Sequence, residues 1–231
     1  MTSLAENLIP VKNLRPPHTR YRKGVKPPSL NMLKRGKQNK KLGDKVSVKK
    51  WKGMTMYSLT LEERATCPSD CEQWDNCYGD NMPFAHRFDH TDPTFKDQLG
   101  MQLEQLNRKH PEGFVVRLHV LGDFYDGLYI VQWQLWLHQL ENLHVFGYTH
   151  HSYTSQLGTM ISNVNNIHSD RFRVRFSDDW DTEFSAHVVQ SRDLEYVEHG
   201  VVCPEQLGKT DSCASCGYCW SSDQPVVFIE H

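Results

Sequence analysis

From residue 54 onward the apolar positions alternate between two periods. Residues 54 to 60, Met54-Thr55-Met56-Tyr57-Ser58-Leu59-Thr60, repeat with period two and predict a strand. Asp92-Pro93 then opens a helix, because proline suits the first helical position and Asp92 caps free amides. Phe95, Leu99, Leu103 and Leu106 recur on one face, and Lys109-His110-Pro111 ends the helix. Residues 114 to 121 form a mostly apolar run of strand length, typical of a strand covered on both faces. Ile130, Trp133, Leu137 and Leu140 mark a second helix over residues 127 to 141, and residues 143 to 148 read as a strand. Leu157, Ile161, Val164 and Ile167 mark a third helix. Residues 171 to 176 predict a strand of alternating charge with one wet face, and Phe184 and Val188 a short helix. Residues 195 to 202 and 225 to 230 supply two further strands. About six strands separated by helices predict parallel pairing with right-handed crossovers, hence an α/β barrel or an open parallel sheet. In either case functional loops gather at the carboxyl ends of the strands.

The charge pattern divides the chain. Residues 1 to 52 carry fifteen Lys and Arg against Glu6 and Asp44, a balance of +13, so the remainder carries −15 within a whole-chain charge of −2. Pro16-Pro17 and Pro27-Pro28 forbid a long helix there. The organisation expected is a basic, Pro-rich N-terminal arm over residues 1 to 53 and an α/β domain over 54 to 231, which includes a cysteine cluster at 203 to 220. Two readings of the arm stand: a solvated segment lying across the acidic body, or a phosphate-binding arm that neutralises nucleic-acid backbone charge. The first ten residues lack the pattern of a secretory signal, and no apolar run is long enough to span a bilayer. A cytoplasmic protein with no membrane partner is therefore expected. In that compartment thiols stay reduced, so seven cysteines grouped as three and four argue for metal or cluster ligation over disulfides.

The first group is Cys67, Cys71 and Cys77, spaced Cys-x3-Cys-x5-Cys in a polar loop just after the first strand. Three thiolates leave a fourth position open, which suits an iron–sulfur cluster with an exogenous ligand. A structural zinc closed by His86 or His90 is the alternative. The second group is Cys203, Cys213, Cys216 and Cys219, a donor set for a second [4Fe–4S] cluster or for zinc. Polar clusters follow the other strands at Gly122-Asp123, at His150-His151 and at Asp178-Asp179. His150 is a candidate ligand or proton shuttle, set against one exposed and one packed histidine. Asp178 is a candidate for binding a cation or a substrate hydroxyl. His119 reads as a hydrogen-bonded core residue, and Trp133 and Trp136 as packing residues.

A strand, a three-cysteine loop ending Cys77-Tyr78 and about five further β/α units together resemble the radical S-adenosylmethionine (SAM) core, a six-stranded, mostly parallel partial (β/α) barrel. Residues 39 to 43, Asn39-Lys40-Lys41-Leu42-Gly43, with Val120-Leu121-Gly122-Asp123-Phe124 and the closing motif from Cys213 to Trp220, are similar to the phage gene-product-88 family. The radical-SAM likeness implies a [4Fe–4S] cluster on Cys67, Cys71 and Cys77, with SAM on the fourth iron. It places Gly122, Asp123 and Tyr78 at the cofactor, and Asp123 joins His150 and Asp178 of the polar clusters as a catalytic candidate. The superfamily usually spaces its cysteines Cys-x3-Cys-x2-Cys, and here the last gap is longer by three. The expected chemistry is reductive cleavage of SAM and hydrogen abstraction from a nucleic acid or nucleotide. An electron donor would be a partner, and the host cytoplasm the location if the chain is phage-encoded. Two rivals are a zinc-stapled nucleic-acid binder without catalysis and an iron–sulfur redox sensor.

Overall fold

Parallel strands that follow one another in chain order need right-handed crossovers, and these place every connecting helix on the same face of a sheet. The computed structural model describes residues 16–48, 50–177, 179, 182, 184–196 and 200–230. Its strands are β1 (Val25–Lys26), β2 (Lys34–Arg35), β3 (Thr55–Ser58), β4 (Arg87–Phe88), β5 (Phe114–Leu118), β6 (Leu143–Thr149), β7 (Phe172–Ser177), β8 (Ser185–Val189), β9 (Val201–Val202) and β10 (Val226–Ile229). The α-helices are α1 (Phe95–Lys109), α2 (Gly127–Gln139), α3 (Gln156–Ile167), α4 (Cys213–Cys216) and α5 (Tyr218–Ser221). Eight strands form one sheet in the order β2-β3-β5-β6-β7-β8-β10-β9. Only the β2–β3 pair is antiparallel. β1 and β4 pair in parallel as a small second sheet.

The sheet is thus mixed α/β and mostly parallel, with eight strands where periodicity predicts six. The two extra strands are β2, which lies in the stretch read as an arm, and β8. Residues 185–189, Ser-Ala-His-Val-Val, form β8 and not a short helix, because the β-branched pair Val188-Val189 suits a pleated ladder beside β10. Of the strand expected over residues 195 to 202, the described residues form β9 and, at 195 and 196, the end of a 3-10 turn over Ser191–Tyr196; residues 197 to 199 lie outside the described residues.

Helices α1, α2 and α3 cover one face. Phe95, Leu99, Leu103, Trp133, Leu137, Ile161 and Val164 pack there against Phe114, Val116, Leu118, Val145, Phe172 and Val174. α1 begins at Phe95 with Thr94 at its N-cap, so Pro93 precedes the helix and Asp92 stands two residues further out than expected, where its carboxylate accepts from the Thr94 amide at 2.8 Å. The opposite face is closed by the two ends of the chain. Leu42, Val46 and Trp51 from the N-terminal side meet Ala214 and Trp220 over Met56, Val115 and Phe146. The indoles of Trp51 and Trp220 stack with centroids 5.5 Å apart, and the Cys213 and Ala214 amides donate to the carbonyls of Lys41 and Leu42 at 2.8 and 3.0 Å. Residues expected to belong to a solvated arm therefore build core: Met32 and Leu33 are also buried.

That second face also overturns the wet side expected of residues 171 to 176. Arg175 on β7 is fully buried. Its guanidinium donates to the carbonyls of Cys219, Ser185, Gln224 and Ser222 and so pins the C-terminal segment to the sheet. Replacing Arg175 by Met is expected to leave these carbonyls unsatisfied and to cost about 3 kcal/mol or more. Urea unfolding measures the loss, and hydrogen exchange should show it concentrated in residues 213 to 224.

Candidate functional site

The first cysteine loop hangs from the carboxyl end of β3. Leaving that strand, the Leu61 amide donates to the Leu121 carbonyl at 3.0 Å, so residues 59–61 still run beside the continuation of β5. Glu62, Glu63 and Arg64 follow, and all three are buried. Arg64 takes a left-handed backbone, φ 66°, which costs a residue with a Cβ on the order of 1–3 kcal/mol. The turn sends its guanidinium back across the loop. It grips both oxygens of Asp80 at 2.8 Å and donates to the Trp74 carbonyl at 3.1 Å. Successive tight turns, Cys71 N–H to Pro68 O and Trp74 N–H to Cys71 O, both 3.1 Å, carry the chain between the cysteines.

Behind the loop lies an ion pair sealed from solvent. Arg87 and Glu63, with side chains 0% and 1% exposed, meet at 2.6 and 2.8 Å. Arg87 also donates to the Gly79 and Met82 carbonyls at 3.0 Å. The N-terminal segment closes the network. Thr19 donates to Glu63, Tyr21 donates to the Asp80 carbonyl at 2.6 Å, and the Tyr21 ring lies 5.1 Å from the Arg87 guanidinium.

The expected site residues can now be placed. Cys67 has Asp123, Cys71 and Cys77 within electrostatic reach, and burial with these neighbours pushes its thiol well up. Asp123 is itself buried. One of its carboxylate oxygens accepts from the Phe124 amide and the other from the His150 amide, both at 2.7 Å, while its own amide donates to Thr66 Oγ1 at 3.1 Å. Burial pushes the Asp123 carboxyl up, and His151 with the two amides pulls the other way. His151 adds a contact from Nε2 to the Phe124 carbonyl at 2.7 Å. The structure thus brings Cys67, Cys71, Cys77, Asp123 and the His150 backbone together. Gly122 has φ +83°, and an added Cβ would stand 2.4 Å from Thr66 Oγ1 and 2.8 Å from Leu61 Cβ, so glycine lets the two strand ends approach. Asp178 lies outside the described residues. The candidate fourth ligands go elsewhere: His86 contacts Lys26 at 2.9 Å, and His90 packs on Tyr125 with centroids 4.6 Å apart.

The second set gathers over the other face of the sheet. Cys203 is buried with Ala186 and Val226, and Cys219 packs against the same cluster. Ser212 and Ser215 form a capping box around α4, and Gly217, φ 66°, makes the left-handed turn between Cys216 and Cys219. Burial first, then Cys219 and Cys203, push Cys213 up to about 12, against Arg117 and Lys41. Cys219 is raised by burial and by Cys203 and Cys216, and Arg175 opposes this.

Arg117 on β5 stands between the two sets, and sequence reasoning missed it. Its electrostatic neighbours are Cys213, Tyr78, Tyr148 and Cys219, and those of Tyr78 include Cys77 and Cys67. Its guanidinium lies 5.7 Å from the Tyr148 ring, and its Nε has no hydrogen-bond partner among the described residues. The Tyr78 hydroxyl donates to the Val120 carbonyl while its ring is 45% exposed, and burial of the hydroxyl pushes it up to about 12. The one signal in the sequence was a charge interrupting the apolar run 114 to 121.

None of the seven cysteines is in a disulfide. As the side chains stand, no group of three or more His, Cys, Asp or Glu among the described residues is arranged to hold a metal ion. The donor chemistry nevertheless suits one. Each set places soft sulfur donors in one neighbourhood: burial, and after it neighbouring negative groups, raise the Cys67 and Cys213 thiols, and half-buried Arg117 is at hand to balance thiolate charge. No helix among the described residues is long and apolar enough to cross a membrane.

The buried histidines give a pH dependence. Burial lowers His119 to about 3 and His144 and His187 to about 4, from 6.5. A folded value below the unfolded one means stability that is present above pH 6.5 and lost as pH falls toward 4. His119, 3.1 Å from the Tyr129 hydroxyl, is the most shifted. Replacing it by Gln is expected to flatten the acid limb of the stability curve by on the order of 3 kcal/mol at pH about 4, read from urea midpoints across pH.

The family described as Gene product 88 matches residues 31–222 of this chain. No curated protein and no solved structure matches it. The likeness to the radical-SAM core finds no support in these comparisons.

Proposed function

The chain belongs to the gene product 88 family, and on that premise we propose that it is a protein of two thiolate metal centres facing each other across Arg117. Cys67, Cys71 and Cys77 would hold a [4Fe–4S] cluster, and Cys203, Cys213, Cys216 and Cys219 a second centre. The observation that carries this reading is the electrostatic grouping of Cys67 with Cys71, Cys77 and Asp123 at the carboxyl ends of β3 and β5. A three-thiolate cluster would supply one-electron chemistry at an iron open to an outside ligand such as SAM.

The chain's own residues support that finer reading in three ways. Asp123 is fixed by two backbone donors beside Cys67, where a carboxylate can receive an ammonium group. Arg117 puts a positive charge between thiols that repel one another once ionised. Strands β3, β5, β6, β7, β8 and β10 follow in chain order across the sheet, the order of a partial (β/α) barrel. The substrate class proposed is a nucleic acid, because the N-terminal segment carries the +13 balance.

At the second centre one observation favours zinc. A capped Cys-x2-Cys turn closed by left-handed Gly217 has the tight form of a zinc knuckle. Metal analysis of anaerobically purified protein tests both assignments. The expected result is a brown protein that bleaches on reduction and loses its colour in a Cys67→Ser, Cys71→Ser, Cys77→Ser variant. A colourless wild type whose only metal is zinc would overturn the cluster. Asp123→Asn is expected to keep the colour and weaken SAM binding about tenfold or more in equilibrium dialysis. Equal SAM binding by this variant removes Asp123 from the site.

A further inference from the structure

Lys26, Lys34 and His86 converge on a cleft of ≈ 300 Å³ away from both cysteine sets, walled by Pro27, Pro28 and Phe88. Among the described residues no carboxylate lines it. Lys26 Nζ lies 2.9 Å from His86 Nδ1. Burial and then the neighbouring cations lower both Lys34 and His86, as expected where like charges meet without a counter-ion. The groups are held on rigid backbone. Lys26 pairs with Phe88 across β1 and β4, the Asp89 amide donates to the Lys26 carbonyl at 2.9 Å, and adjacent Arg87 is locked by Glu63. Such a cleft is built for an anion that several donors can share.

A second feature says what carries the anion. Phe84, two residues before His86, is 92% exposed, the most exposed large apolar side chain among the described residues. It is held in a short turn by the bond from the Ala85 amide to the Met82 carbonyl. An exposed ring near a cationic cleft is the pairing used for single strands, where bases stack and phosphates meet cations. Arg22, Lys23, Lys37 and Lys40 are also exposed on the same basic segment, more charge than a lone phosphate uses.

We propose that this cleft binds single-stranded nucleic acid, with a backbone phosphate between Lys26, Lys34 and His86 and a base stacked on Phe84. It rests on the nucleic-acid part of the reading above and not on the metal centres. The test is fluorescence anisotropy of a labelled oligothymidylate on the full chain across a salt series, with inorganic phosphate titrated separately by calorimetry. The wild type is expected to bind both. A Lys26→Gln, Lys34→Gln variant should lose about tenfold or more in oligonucleotide affinity, bind phosphate more weakly, and lower the salt slope by about 1. Phe84→Ala should lose about tenfold for the oligonucleotide and keep phosphate binding unchanged. Its side chain is exposed, so this variant keeps the fold. An oligonucleotide bound by the wild type and equally by both variants would overturn the cleft and leave the nucleic-acid reading standing. A wild type that binds phosphate but no oligonucleotide would overturn both.

Discussion

Glu63 and Arg87 form a charge pair that water does not reach, and the path of the first cysteine loop depends on it. Neither partner is near the other in sequence, and each is committed further. Glu63 receives Thr19, and Arg87 holds the carbonyls that follow Cys77 and Tyr78. Two apolar side chains of similar size could fill this space at little net cost, since desolvation consumes much of what a buried pair gains. They would not tell the loop where to turn. The pair's contribution is direction: with either member gone, the other is left as an uncompensated charge in the interior.

The same device recurs on the far side of the sheet. Arg175 gathers the carbonyls of the C-terminal segment as Arg87 gathers those of the loop. Between them Arg117 faces thiols and phenols. Loops rich in cysteine have few apolar side chains to anchor them, so they are fastened through their backbone oxygens. This puts positive charge where ionised thiols need it.

Much of this architecture is legible in the sequence, and the failures share a cause. Helix α1 could be read because Phe95, Leu99, Leu103 and Leu106 repeat on one face, and β5 because four apolar residues outweigh its one arginine. The cysteine sets showed in their spacing alone. Strand β8 escaped because Phe184 and Val188 lie four apart, and that helical interval hid the β-branched pair. The buried arginines escaped because a charge in an alternating strand ordinarily faces solvent. Periodicity cannot report that Arg175 meets carbonyls more than forty residues away. Likewise Met32 and Leu33 sit among Pro and Lys, a composition that conceals a core contribution.

The closure of the second face by Leu42, Val46 and Trp51 with Ala214 and Trp220 bears on how the chain is made. A ribosome releases the helix-covered side in working order well before it reaches the tryptophan that completes the other. Until then Met56, Val115 and Phe146 have only the N-terminal half of their cover, and a nascent chain stalled short of residue 213 displays the apolar strip that Ala214 and Trp220 would seal. Messages cut short near their end would therefore yield sticky products and not slightly shortened ones, a natural target for cellular quality control.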